Sequence, residues 1–280
     1  MLVFQTGVLV WFIAFYKKIC YNTYNIEIKK TIRRQGPENM TIHHDKAAYG
    51  KLASLNEEFS QERLEEMTKK LNETEVYGEQ YRRMIAGELY DPSDSELASM
   101  RKRVRKLFKQ YNDSDEDDTK QREELLREMF GKCGQRLYCE PPLRFDYGCN
   151  TEVGEDFYAN FNLVILDCAP VRIGKQCFIG PNVTIATPVH PLLSCDRNMR
   201  RADDGHYYDL EYAKPITIGD NVWLASGVII CGGVTIGHDT VIGAGSIVTR
   251  DIPAGVFAAG DPCRVIRELR ESDKMQLPLR

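Results

Sequence analysis

From Ile218 to Pro253 the chain reads in sixes: IGDNVW, LASGVI, ICGGVT, IGHDTV, IGAGSI and VTRDIP. The first place is aliphatic in all six, and the second is small at Gly219, Ala225, Cys231, Gly237 and Gly243. An earlier block from Ile173 to His190 has the same build: IGKQCF, IGPNVT and IATPVH. A period of six matches neither an amphipathic helix nor an alternating strand. It suits a coil with three flat faces, in which the first residue of each hexad points inward and stacks on its equivalent one coil along. The second place is small because the chain turns a corner there. Eighteen residues then make one turn of a triangular prism faced by short parallel strands, a mainly β fold. Ile185 and Ile218 are 33 residues apart, which is not a multiple of six, so the segment between them leaves the repeat as a loop. The prism has open ends and flat sides. A helical cap can close one end, and three prisms side by side hide much of the flanks while leaving clefts between chains, so a homotrimer is expected.

Upstream of the repeat the pattern is helical. Residues 94–111 carry Leu97, Met100, Val104, Leu107, Phe108 and Tyr111, with Ser93 or Asp94 as N-cap; residues 119–130 carry Leu125, Leu126, Met129 and Phe130. The acidic run Asp113 to Asp118 between them reads as a solvated turn. Residues 51–71 form a further amphipathic pattern behind a polar, linker-like stretch. A change of composition near residue 132 marks a domain boundary.

The net charge of −4 and the lack of a Lys/Arg block interleaved with aromatics leave out the footprint of a nucleic-acid binder. Nine cysteines, none in a C-x-x-C pair, indicate neither a disulfide framework nor a zinc knuckle, and a cytoplasmic, reducing location is expected. The first sixteen residues, MLVFQTGVLVWFIAFY, precede Lys17 and Lys18. This run is shorter than the ~20 apolar residues of a bilayer span and lacks the marks of a signal peptide. A short membrane anchor with the enzyme domain cytosolic, and a plain extension, are both open.

Several long motifs carry a family resemblance: MIAGELYDPSDSEL (84–97), YNDS (111–114), EPPLRFDYGCN (140–150), FYANFNLVILD (157–167), HP (190–191), KPITIGDNVWLASGVII (214–230) and VTIGHDTVIGAGSIVTRDIPAGVFAAGDPCRVIRE (234–268). Together they resemble the maltose and galactoside O-acetyltransferases, hexapeptide-repeat enzymes that use acetyl-CoA. The resemblance implies a left-handed parallel β-helix with a small N-terminal helical cap, assembled as a homotrimer with active sites between subunits. It divides the chain into an N-terminal extension (1–76), a cap (77–131), a β-helix acyltransferase domain (132–268) and a C-terminal tail (269–280).

Transfer of an acetyl group from a thioester to a sugar hydroxyl needs a base, because an alcohol is a poor nucleophile while it holds its proton. Imidazole, with an ordinary pKa of roughly 6.5, can take that proton and return one to the departing thiolate. His190 matches the family's catalytic base. His43 and His44 lie outside the matched region, His206 lies in the excursion, and His238 lies at a repeat corner. The resemblance assigns Asn160 to the acceptor side, as oxyanion support or sugar contact; an Asn at such a corner can also simply bond backbone. Asp146 matches a position that contacts acceptor. Asp167 lies at a similar position with a one-place ambiguity, Cys168 being the alternative, and Asp91 from the cap is a further acceptor candidate. For coenzyme A the matched positions are Ser226, Ala244, Thr249, Arg250, Arg264 and Arg267, with the guanidinium groups suited to its phosphates. Trp223 lines the acetyl channel or packs against a neighbouring subunit. No metal site is indicated.

The implied mechanism is direct transfer in a ternary complex without an acyl-enzyme. Two other readings remain at this stage: a hexapeptide acyltransferase acting on serine or an amino sugar, and a non-catalytic scaffold. The excursion from Pro191 to Lys214 departs from the family in length and content, so maltose or galactoside specificity is not carried over.

Overall fold

The computed structural model describes residues 77–275; the apolar start, the linker and the amphipathic pattern at 51–71 lie outside the described residues. Three helices come first: α1 (Glu79–Ala86), α2 (Ser95–Asn112) and α3 (Thr119–Met129). α1 stops at Gly87, which takes the left-handed conformation (φ 75°) and returns its N–H to the last turn. α2 starts where the Asp94 carboxylate accepts from the N–H groups of Glu96 and Leu97, donors that have no partner inside the helix. Leu97, Val104, Leu107 and Tyr111 form its buried stripe, and the acidic residues that follow it are exposed. Among the described residues no helix is long and apolar enough to cross a membrane.

Helix gives way to strand between Met129 and Lys132, and the rest is a parallel β-helix with three faces. The first face holds β1 (Lys132–Cys133), β4 (Thr151–Val153), β7 (Val171–Ile173), β14 (Ile216–Ile218) and β17 (Thr235–Ile236). The second holds β2 (Leu137–Cys139), β5 (Phe157–Ala159), β8 (Phe178–Ile179), β15 (Trp223–Leu224), β18 (Val241–Ile242), β20 (Val256–Ala259) and β21 (Arg264–Glu268). The third holds β3 (Leu143–Phe145), β6 (Leu163–Leu166), β9 (Thr184–Ala186), β16 (Ile229–Cys231) and β19 (Ile247–Val248). Within these three faces all pairs are parallel except β20 with β21, which folds back antiparallel at the far end.

The first residue of every hexad is buried: Ile173, Ile179, Ile185, Ile218, Leu224, Ile230, Ile236, Ile242 and Val248 are each 4% exposed or less. Burying one such side chain is worth about 1.5–3 kcal/mol, so this column is the main apolar term of the prism. The corner rule also holds. A Cβ on Gly219 would sit 2.6 Å from the His238 amide nitrogen, and one on Gly237 would sit 2.3 Å from that of Ala254. The fourth place carries a further rule: Gln176, Asn182, Asn221, Gly227, Gly233, Asp239 and Gly245 all have φ between 55° and 89°. Gly, and less readily Asn and Asp, visit that region at low cost, which accounts for their recurrence there; Gln176 is the exception.

Coil length is not uniform. Tyr158 lies beside Phe178, Phe178 beside Trp223 and Trp223 beside Val241, steps of 20, 45 and 18 residues. The expected eighteen is the pitch of the later coils. The 45-residue step contains the excursion, which is an antiparallel arm rather than an irregular loop. Its legs β10 (Pro188–Val189) and β13 (Tyr212–Ala213) pair at the base, and β11 (Arg200–Arg201) pairs with β12 (Tyr207–Tyr208) near the tip after the short α4 (Ser194–Arg197). A segment that must return to the corner it left runs its two legs side by side, and their backbone groups pair. Lys214 N–H closes the base onto the Thr187 carbonyl at 3.0 Å.

Helices α2 and α3 plug the first coil. Val104, Leu107, Tyr111, Leu125, Leu126 and Met129 join Phe130, Phe145 and Phe157 in the prism core. Asn112 satisfies both edge groups of Leu143, accepting from its N–H and donating to its carbonyl, each at 2.9 Å. A second cluster of Tyr81, Met84, Tyr90, Leu97, Tyr147, Cys168, Ala169 and Ala213 joins the cap, one corner of the prism and the returning leg of the arm.

Asp167 belongs to this interior and not to a cleft. Its carboxyl is wholly buried and accepts from the Tyr147 N–H at 2.8 Å and the Thr151 hydroxyl at 3.0 Å. The expectation of an acceptor contact at Asp167 is therefore corrected: its carboxyl is occupied by donors inside the corner, and the neighbouring Cys168 and Ala169 are buried with it. Burial pushes its carboxyl up to about 6 against the pull of those donors.

Two outcomes follow. Gly237→Ala forces a Cβ against backbone and should cost about 1–3 kcal/mol, read as a drop in thermal midpoint. Because the folded value of Asp167 lies above an unfolded value near ~3.9, its contribution to stability is present at acid pH and is lost as pH rises through about 6. The melting temperature of the wild type relative to Asp167→Asn should fall as pH rises from about 4 to about 6 and level off above that; a pH-independent difference would contradict the assignment.

Candidate active site

Two corner columns run along the prism on either side of the third face. The corner between the third and first faces carries, coil by coil, Asp146 after β3, Asp167 and Cys168 after β6, the base of the arm after β9, and Thr249 and Arg250 after β19. The corner between the second and third faces carries Asn160 after β5, Ser226 after β15 and Ala244 after β18. These corner residues thus fall into two groups that a single chain keeps on opposite edges of one face, while Asp91 comes from the cap and Arg264 and Arg267 from β21.

His190 stands where the arm leaves the corner, its side chain 49% exposed. In the ladder between β10 and β13, Val189 faces Tyr212, so His190 and Glu211 are the next pair outward. The His190 Nε2 lies 3.5 Å from Glu211 Oε2. Glu211 also bridges to the cap: the Tyr90 N–H donates to the Glu211 carbonyl at 3.0 Å, the Glu211 N–H returns to the Tyr90 carbonyl at 3.3 Å, and the Tyr90 hydroxyl donates to Glu211 Oε1. Burial pushes the Glu211 carboxyl up, while the Tyr90 hydrogen bond and the facing His190 pull it back. Sequence reasoning passed over Glu211. The signal that could have found it is the return of the arm, which obliges its last residues to lie opposite its first.

Asp146 is largely enclosed, and burial raises its carboxyl despite the Cys168 thiol 3.6 Å from Oδ2 and the charges of Arg101 and Arg105. It closes one end of a groove of about 830 Å³ between α2 and the third face, whose lining includes Arg105, Phe108, Lys109 and Arg144. Asp91 uses Oδ1 to accept from the Ser93 N–H and hydroxyl at 2.8 and 2.7 Å, and its Oδ2 lies 3.7 Å from His206 Nε2 on the arm. His206 is also bonded to Asp204 at 2.5 Å; that contact first, with Asp91 adding to it, raises its pKa. His206, set aside in the sequence, is thus where the arm meets the cap. His238 is an exposed corner residue bonded to Asp239. Among the described residues no group of three or more His, Cys, Asp or Glu is arranged to hold a metal ion.

Asn160 accepts from the Phe161 N–H at 2.7 Å and donates to the Tyr158 hydroxyl at 3.2 Å, so its amide already steadies its own corner. Ser226, Ala244, Thr249 and Arg250 are exposed. Arg264 and Arg267 lie on β21. Among the described residues Arg264 bonds only the Cys263 carbonyl, at 2.7 Å, whereas Arg267 makes a two-pronged pair with Asp273 at 2.7 and 2.9 Å. Trp223 is 50% exposed and stands in register between Phe178 and Val241.

Three family models match this chain: the maltose acetyltransferase hexapeptide capping motif over residues 83–134, the bacterial transferase hexapeptide of six repeats over 215–250, and the hexapeptide repeat of succinyl-transferase over 170–190. The chain is 46% identical to the galactoside O-acetyltransferase of Escherichia coli K12 over 192 residues, covering 69% of this chain and 90% of that one. Among solved structures, a maltose O-acetyltransferase from Clostridium difficile 630 is 41% identical with a TM-score of 0.64, covering 69% of this chain and 98% of its own. A galactoside acetyltransferase in complex with coenzyme A is 44% identical, also at 0.64, covering 70% and 94%. With the stacked hexads and the capping helices on one chain, this protein belongs to the maltose and galactoside O-acetyltransferases, acetyltransferases built on the hexapeptide repeat.

Proposed function

We propose that the chain transfers the acetyl group of acetyl-CoA to a hydroxyl of a sugar in a ternary complex, with His190 as general base. The observation that carries this reading is the pairing of His190 with the partly buried carboxylate of Glu211 at the corner where Asp146 also stands. A carboxylate only accepts, so Glu211 favours the proton on Nε2 and leaves the lone pair on Nδ1. That nitrogen takes the acceptor proton, and the Glu211 charge stabilises the imidazolium so formed. Acetyl-CoA, when bound, supplies the activated acyl group. The residues suit it: Ser226 and Ala244 present an exposed corner along which an extended arm can lie, and Arg264 offers a guanidinium that no carboxylate among the described residues engages. Arg267 would have to leave Asp273 to serve the nucleotide end. Asp146 and Asp91 provide acceptor contacts.

The opposed corners of one chain support a trimer, in which the His190 corner of one copy meets the Asn160 corner of another. The outward residues of the faces agree. The first face shows Glu152, Arg172, Thr217 and Thr235. The second carries an aromatic ladder of Tyr138, Tyr158, Phe178 and Trp223, with Phe178 56% exposed in a single chain. Such a stripe gains by being covered.

His190→Ala should abolish acetyl transfer, measured by thiol release over a panel of mono- and disaccharides, while isothermal titration still detects acetyl-CoA binding. Near-normal turnover would sink the base assignment, and absence of acetyl-CoA binding by the wild type would favour a scaffold. Arg264→Ala should raise the KM for acetyl-CoA about tenfold with little change in kcat, in line with one charge-assisted phosphate contact.

A further inference from the structure

Tyr90 lies outside the helices of the cap and is wholly buried, yet it carries a hydroxyl. Its backbone is locked to Glu211 by the reciprocal pair of hydrogen bonds, and its hydroxyl donates to Oε1 of the same residue. The oxygen that faces His190 is the other one, Oε2. The two partners therefore use different oxygens of one carboxylate, and the plane of that carboxylate is fixed from both sides. Beyond Tyr90 the contacts continue through the Cys168 thiol to Asp146, so a connected polar cluster runs inside an apolar jacket from the arm to the neighbouring corner.

The groups facing Glu211 come from three elements. The cap supplies Tyr90, the arm supplies His190 and Asp209, and the corner supplies Cys168 and Asp146. Burial, Asp209 and Asp146 favour the protonated carboxyl; Tyr90 and His190 favour the charged one. Burial drives the ionisation of the Tyr90 hydroxyl far out of range and leaves it a permanent donor.

We infer that Tyr90 is a positioning residue for acetyl transfer: its hydroxyl holds the Glu211 carboxylate charged and turned so that Oε2 faces His190. The inference rests on His190 being the base. The cap is then part of the catalytic machinery, although Tyr90 itself is wholly buried.

The test uses the full chain with acetyl-CoA and the acceptor that turns over fastest in the saccharide panel. Tyr90→Phe, Glu211→Gln and the double variant are compared by kcat and KM. Tyr90→Phe should lower kcat about tenfold while both KM values stay within about twofold, the size of one hydrogen bond to a charged group. The double variant should be no slower than Glu211→Gln alone, because Tyr90 acts through the Glu211 charge. A wild-type kcat in Tyr90→Phe, a change confined to KM, or losses that multiply in the double variant would each overturn the proposal. If Tyr90→Phe does not fold, Glu211→Asp decides: a shortened carboxylate that no longer spans Tyr90 and His190 should lose kcat by a similar factor, and a wild-type rate would refute positioning. His190→Ala separates the two levels. Turnover retained there removes the base reading and this one with it, whereas a dead His190→Ala beside a fully active Tyr90→Phe removes this proposal alone.

Discussion

The structure depends on one stacking constraint: an aliphatic side chain every sixth residue must meet its equivalent one coil away in a dry interior. Ile179, Leu224 and Ile242 show it on successive coils, in register and buried. Once that stack is set, three other things are no longer free. The corner residue must be small where the next coil's backbone passes close by, the fourth residue must tolerate a positive φ, and the chain length between equivalent positions must be a whole coil or be looped out. The arm is the looped-out solution, and it occurs once among the described coils.

The same constraint places the chemistry. Corners are the only parts of a coil whose side chains are neither in the stack nor on a flat face, so a rigid series of corners is a ruler for functional groups. Asp146, Cys168 and the base of the arm lie on successive marks of one ruler; Asn160, Ser226 and Ala244 lie on the other. No single loop conformation has to be found for these groups to line up. What the corner alone does not supply is a carboxylate for His190, and this is brought from 21 residues downstream by the pairing of the arm's two legs.

Much of this was legible before the coordinates. The hexad period led to the prism, the inward column and the glycine corners, because those depend on nearest-neighbour stacking that repeats along the sequence. Asp94 as a cap was legible for the same reason, its bonds being two and three residues away. The role of Glu211 was not, since it depends on a ladder whose register is set by where the arm rejoins the prism. Asp167 failed in a different way. Both places of the ambiguity, Asp167 and Cys168, are buried at that corner, and spacing alone does not tell a carboxyl turned inward from one turned to a cleft. Arg267 is a third kind of case: the motif CRVIRE carries its charge, but the Asp273 that occupies it lies six residues further on in the tail.

The bond from Lys214 to Thr187 seals the arm at its root, and the parallel stack resumes above it as though the intervening residues were absent. Everything beyond Glu211 is thereby insulated from the register of the prism. Lengthening or shortening the tip, where β11, β12 and His206 lie, adds only the slowly growing entropy of a longer closed loop. The tip and the pair of His190 with Glu211 are thus carried on separate parts of the chain: the tip can change length without moving the pair.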